Sequence, residues 1–182
     1  TDITYLLGTT FTINNSQSGG NTAGANVIID RVEVNSSGEI VSFVVTGGGS
    51  NYSALNTFTI TITPSGGSAT TYGTYTVLTS DLTGTSINNG KITVAANLTT
   101  TGTSLAPGIY TSQTKLTTSG TALSPGTYKG ATFTTTTESG GSGLLIDEIV
   151  VTGSNVQSFT TTQSGTGYAA GDFLIIEVFD GS

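Results

Sequence analysis

Three observations predict an all-β protein. Thr, Val, Ile and Gly dominate while the helix formers Lys, Glu, Gln, Arg and Ala are scarce. No window sustains a helical apolar period, and short runs of alternating apolar and polar residues are separated by turn residues every ~8–12 positions. With 35% hydrophobic residues in 182, the chain can build a modest core. The expected architecture is a pair of duplicated small antiparallel β-sandwich or barrel modules flanking a middle β segment.

The clearest hairpin is VIIDRVEVNSSGEIVSFVVTG. Val32 and Val34 alternate with Arg31 and Glu33, Asn35 to Gly38 supply the turn, and Ile40 to Val45 return. Thr63 to Gly73, TPSGGSATTYG, reads as a linker. A second hairpin is expected in TSINNGKITVAA, because Asn89-Gly90 suits a type I′ turn with positive φ at both central positions. Pro107-Gly108 and Pro125-Gly126 read as type II turns, Pro setting the first central φ and Gly accepting the positive second one.

Internal repeats organise these elements. Residues 28–62 align with 145–178 with one-residue gaps: each copy runs apolar-Asp, strand, polar turn, Ser-Phe. The step from Phe43 to Tyr52 equals that from Phe159 to Tyr168. Upstream, YLLGTTFTI from Tyr5 and YKGATFTTT from Tyr128 extend the match. Between the copies, LAPGIY from Leu105 recurs as LSPGTY from Leu123. The expected domains are an N-terminal β module at 1–63, a middle segment at 64–127 with its own short repeat, and a C-terminal module at 128–182 that copies the first.

Composition excludes several function classes. Charged residues are only 8% of the chain, with four basic against eleven acidic residues and a net charge of −7. So few cations cannot neutralise a phosphate backbone, and no nucleic-acid partner is expected. No apolar run reaches the roughly 18 residues of a membrane helix, so no membrane partner is expected. The absence of His and Cys removes the ordinary general base near neutral pH and all thiol chemistry. No enzyme activity and no catalytic residue are therefore expected. Asp30 with Glu33, and Asp147 with Glu148, lack the spacing of a calcium loop and read as solvated charge, so no metal or cofactor is expected.

The motif that stands out is QSGTGYAAGDFLIIEV. Gly165 and Gly167 form a loop, Tyr168 is expected to pack across the end of the sandwich with its hydroxyl on backbone, and Gly171-Asp172 turn into the last strand. Tyr52, after Gly48 and Gly49, is the earlier form, with Asn56 and Thr57 near the place of Asp172. A tyrosine that repeats while its carboxylate does not points to packing. The competing reading is a sugar platform, the Tyr168 ring stacking on a pyranose and Asp172 accepting its hydroxyl hydrogens.

Gly165, Gly167, Tyr168, Gly171 and Asp172, leading into an apolar strand, resemble the recurrent β modules in structural proteins of tailed bacteriophages, especially those of cyanobacterial hosts. Gly48, Gly49 and Tyr52 carry a weaker form, so the resemblance covers the two outer units. It implies a virion structural protein, a head decoration or cement, tail or fibre subunit. Its partners would be other virion subunits in a homo-oligomer or lattice, assembled in the host cytoplasm. The alternative expectation is a cell-surface adhesin or carbohydrate-binding module with a glycan ligand on an extracellular surface. An initiator Met removed ahead of Thr1 goes with the first reading, a cleaved leader with the second.

Overall fold

The computed structural model describes residues 2–16, 23–113, 121–130, 132–137, 140–168 and 174–179. Its strands are β1 (Ile3–Leu6), β2 (Thr10–Ser16), β3 (Ala25–Val34), β4 (Ile40–Ser50), β5 (Thr57–Thr63), β6 (Thr70–Thr76), β7 (Leu82–Thr83) and β8 (Ser86–Ile87). There follow β9 (Gly90–Leu98), β10 (Gly108–Thr111), β11 (Gly126–Lys129), β12 (Thr132–Thr137), β13 (Ser142–Thr152), β14 (Asn155–Thr166) and β15 (Leu174–Phe179). One turn of 3-10 helix, Thr79–Asp81, is the sole helical element among the described residues, as an all-β reading requires.

The chain divides into two compact units, residues 7–114 and residues 1–6 with 115–182. The boundaries differ from the three-part division by sequence. Residues 64–114 join the first module, 115–127 join the second, and β1 belongs with the C-terminal copy. Thr63 to Gly73 is no linker: it closes the β5–β6 hairpin, where the Gly67 amide donates to the Pro64 carbonyl at 2.9 Å.

Unit 7–114 contains two main antiparallel sheets, one ordered β10-β3-β4-β9 and the other β2-β5-β6, beside the small β7–β8 pair. Period-two alternation builds its core. TFTITIT of β5 buries Phe58, Ile60 and Ile62, while β3 and β4 bury Val32, Val34, Ile40, Phe43 and Val45. Across the sheets Phe43 meets Phe58 edge-on at 6.0 Å and Tyr75 edge-on at 5.1 Å. Each such pair adds ~0.5–1.5 kcal/mol beyond the area it buries. The Tyr75 hydroxyl donates to Asp81 Oδ2 at 2.6 Å, and the same oxygen takes the Leu78 amide at 2.8 Å, which sets the 3-10 turn.

The β3–β4 hairpin forms where expected. Asn35 Oδ1 accepts the Ser37 and Glu39 amides at 2.9 and 3.0 Å, and Gly38 takes a φ of +76°. Hydrogen bonds from the Asn97 and Asn35 side chains hold the Glu39 carboxyl below its usual range.

Asn89-Gly90 does not make a hairpin. Instead β8 pairs with β7, and β9 starts at Gly90 and pairs with β4. The long edge of β4 lets β9 bury Val94 and Leu98, a gain that a local turn cannot match. Nor are the Pro-Gly pairs type II turns: Gly108 and Gly126 open β10 and β11, and the +158° φ of Gly108 is nearly extended.

Unit 1–6 with 115–182 repeats this plan with a sheet ordered β11-β13-β14-β1 and the pair β12-β15. The register agrees in detail. Ile28 faces Gly47, Arg31 faces Val44 and Val32 faces Phe43, while Leu145 faces Gln163, Glu148 faces Thr160 and Ile149 faces Phe159. Bulges flank Ile29 in one copy and Ile146 in the other.

Replacing Phe58 by Ala removes the aromatic centre of unit 7–114 and is expected to cost about 3–5 kcal/mol. Urea unfolding of the variant measures this directly, with Gly102→Ala in the loop before β10 as a control for a site where an added Cβ meets only the Thr100 hydroxyl, at 4.0 Å.

Candidate functional site

Tyr52 and Tyr168 lie just beyond the outgoing strand of each hairpin, β4 and β14. Tyr52 follows β4 and is only 1% exposed. Its ring lies on the backbone of Gly24, where an added Cβ would sit 2.2–2.5 Å from ring carbons. The Tyr52 hydroxyl donates to Asn15 Oδ1 at 2.6 Å and accepts the Val27 amide, so it bonds both β2 and β3. Left-handed φ values of +64° at Gly49 and +61° at Asn51 swing the chain into this position.

The second copy places Tyr168 in the same way. It is half-buried, and a Cβ on Gly141 would come 2.4–2.8 Å from its ring. Gly165 and Gly167 take φ values of +70° and +78° where Gly49 and Asn51 stand in the first copy. A Cβ on Gly165 would lie 2.5 Å from the Ser142 carbonyl oxygen, and one on Gly49 would lie 2.2 Å from that of Ala25. Gly165, Gly167 and Tyr168 are therefore brought together; Gly171 and Asp172 lie outside the described residues.

Asn56 stands as far beyond Tyr52 as Asp172 stands beyond Tyr168. It is fully buried, and its Oδ1 accepts the Ser53 amide at 2.8 Å and the Ser53 hydroxyl at 3.2 Å. That oxygen is spent on its own turn. Its Nδ2 is the one buried side-chain donor among the described residues without a hydrogen-bond acceptor.

The part played by two further tyrosines of the short repeat escaped sequence reasoning. Tyr110 on β10 donates to the Ala106 carbonyl at 2.9 Å, and Tyr128 on β11 donates to the Ser124 carbonyl at 2.8 Å. Tyr110 faces Val32 and Tyr128 faces Ile149, which are matching positions of the two modules. The Ser112 amide then reaches the Asp30 carbonyl at 2.8 Å, and the Gly130 amide reaches that of Asp147 at 3.4 Å. The short repeat was the available signal: each copy supplies one strand to one module.

No group of three His, Cys, Asp or Glu side chains fit for a metal occurs among the described residues. Lys91 pairs with Glu33 at 3.5 Å, and Lys129 with Asp147 and Glu148 at 3.5 and 3.8 Å. Such exposed pairs are worth roughly 0–1 kcal/mol each. A cleft of about 360 Å³ runs along β2 and the first half of β3, lined by Phe11, Ile13, Asn15 and the stretch from Ala25 to Ile29. Ile28 on its rim is 59% exposed, and Leu145, its counterpart in β13, is 53% exposed.

Burial raises the hydroxyls of Tyr52, Tyr72, Tyr75 and Tyr110 above the ordinary 10.0. For Tyr75 the neighbouring Asp81 adds to the rise; for Tyr110, pushed up to about 12, Tyr72 does. For Tyr52 and Tyr72 the amides of Val27 and Leu105 oppose it. Comparison with family models, curated proteins and solved structures returned no match.

Two outcomes follow for the tyrosines. Above pH 10 the folded chain holds more phenol protons than the unfolded chain, so stability is full below that pH and falls as pH rises through 12. Urea midpoints across that range test the slope, and tyrosinate absorbance of the folded chain is expected to lag for Tyr52, Tyr72, Tyr75 and Tyr110. Separately, Gly24→Ala drives a methyl into the Tyr52 ring and is expected to cost about 1–3 kcal/mol, read as a lowered thermal midpoint.

Proposed function

We propose that the protein is a virion structural subunit, a capsid decoration or cement protein or a part of a tail or fibre, that works through protein–protein contacts. The observation that carries this reading is the matched exposure of Ile28 and Leu145. Single apolar residues at a surface are ordinary. Here two modules present a large aliphatic side chain at the same register position, beside the same bulges, on a chain with only 8% charged residues. A surface so poor in charge loses little solvation when a neighbouring subunit covers it. Two like contacts on one chain also reinforce each other through effective concentration, so weak sites suffice in a lattice. The phage-module resemblance of the tyrosine motif supports the same reading. A glycan platform draws less support, since the Tyr52 ring is covered and its hydroxyl is bonded within the module.

Ile28→Asp with Leu145→Asp in one chain is expected to weaken self-association or particle decoration by ~tenfold or more while leaving the circular dichroism spectrum unchanged. Light scattering against concentration and imaging of labelled chain in intact particles measure this. Unaltered assembly by the double variant sinks the proposal, as does a glycan-array signal that disappears in a folded Tyr168→Ala chain.

A further inference from the structure

We propose that β1 is an exchangeable strand, so that residues 2–6 of one copy can fill the β14 edge of a second copy and link the two head to tail. The seat for this strand is a fixed part of the module. In unit 7–114, Gly90, Lys91, Ile92 and Thr93 of β9 face Val45, Val44, Phe43 and Ser42. In the other unit, Ile3, Thr4, Tyr5 and Leu6 face Thr161, Thr160, Phe159 and Ser158, the matching positions of β14. Both modules thus take a fourth strand at one register, and the bare edge that its absence would leave is a pairing template.

The two strands differ in origin. β9 comes from within its own unit, whereas β1 is the only part of residues 1–114 that belongs with 115–182. Only Leu7, Gly8 and Thr9 separate β1 from β2. The Gly8 and Thr9 amides donate to the Gln113 and Thr111 carbonyls at 3.1 and 2.9 Å, so unit 7–114 holds the hinge wherever β1 itself is seated. A short hinge beside a strand that packs with a separate unit is the arrangement in which an element passes between copies at low cost.

The contacts of the strand are indifferent to its source. Tyr5 stacks on Phe159 with ring centroids 4.9 Å apart and planes 11° apart, and the Thr4 and Thr160 hydroxyls lie 3.2 Å from each other. A neighbour's β1 would make the same bonds, so hinge conformation and concentration decide between closed and linked forms. The closed form has an effective concentration in the ~mM range and prevails in dilute solution; crowded subunits reach the linked form. Donor and acceptor are different surfaces, so the contact is heterologous and propagates as a chain or closes as a ring. This linkage does not depend on the Ile28 and Leu145 contacts.

The absence of cysteine makes the test clean. Thr4→Cys and Thr160→Cys are introduced in separate full-length chains, which are mixed, unfolded together, refolded at ~mM concentration and oxidised. A disulfide joining position 4 of one copy to position 160 of the other, mapped by mass spectrometry, is the expected product. Adding Tyr5→Asp to the Thr4→Cys chain is expected to abolish it. A chain carrying both cysteines reports on folding, giving a bridged monomer when refolded dilute and a ladder of linked copies when refolded concentrated. A bridged monomer at both concentrations, with no cross-link in the mixture, overturns the proposal; absence of any bridge overturns it too, since the seat itself would then be wrong.

Discussion

Each module depends on a tyrosine ring laid against a backbone that has no side chain. Tyr52 on Gly24 couples the segment after β4 to the segment before β3, and its hydroxyl ties in β2 through Asn15 and β3 through the Val27 amide. One side chain therefore joins strands of both sheets of unit 7–114. The contact constrains much around it: Gly24 admits no Cβ, Gly49 and Asn51 must accept left-handed φ, and Asn15 must present an oxygen to a buried phenol. Tyr168 on Gly141 reproduces the ring contact and the turn, which is why the two copies keep their spacing although most of their side chains differ.

Much of this was legible in the sequence and some was not, for physical reasons. Period-two alternation in TFTITI and VEV marks strands whichever partner they find, so the all-β class and the β3–β4 hairpin could be read locally. The duplication was legible because Phe43 to Tyr52 and Phe159 to Tyr168 keep one spacing. Partner choice was hidden, because it is settled by burial between residues far apart in the chain. Asn89-Gly90 has the residues of a tight turn, yet the open edge of β4 captures β9; Tyr5 resembles the start of the first module, yet β1 pairs with β14. At the site, Tyr52, Gly165, Gly167 and Tyr168 were found by their own pattern. Gly24 and Gly141 were not, since a glycine required by a ring some 28 residues away looks like any loop glycine. The hydroxyl bonds of Tyr110 and Tyr128 were likewise concealed, although the short repeat held both residues.

The described residues of the two units differ in how much they bury. In unit 7–114, Phe43, Phe58, Tyr75 and Tyr52 form a connected aromatic cluster surrounded by fully buried Ile and Val. Among the described residues of the other unit, only Ile149, Val151 and Thr161 are buried.

Because residues 1–6 and 115–182 share a unit, both ends of the described chain, β1 and β15, emerge from one folded body and residues 7–114 are threaded between its parts. Tension applied at the two ends is carried across that body before it can reach the covalent path through residues 7–114. The β1–β14 ladder, only four residue pairs long, lies on that load path, and opening it would hand the tension to residues 7–114.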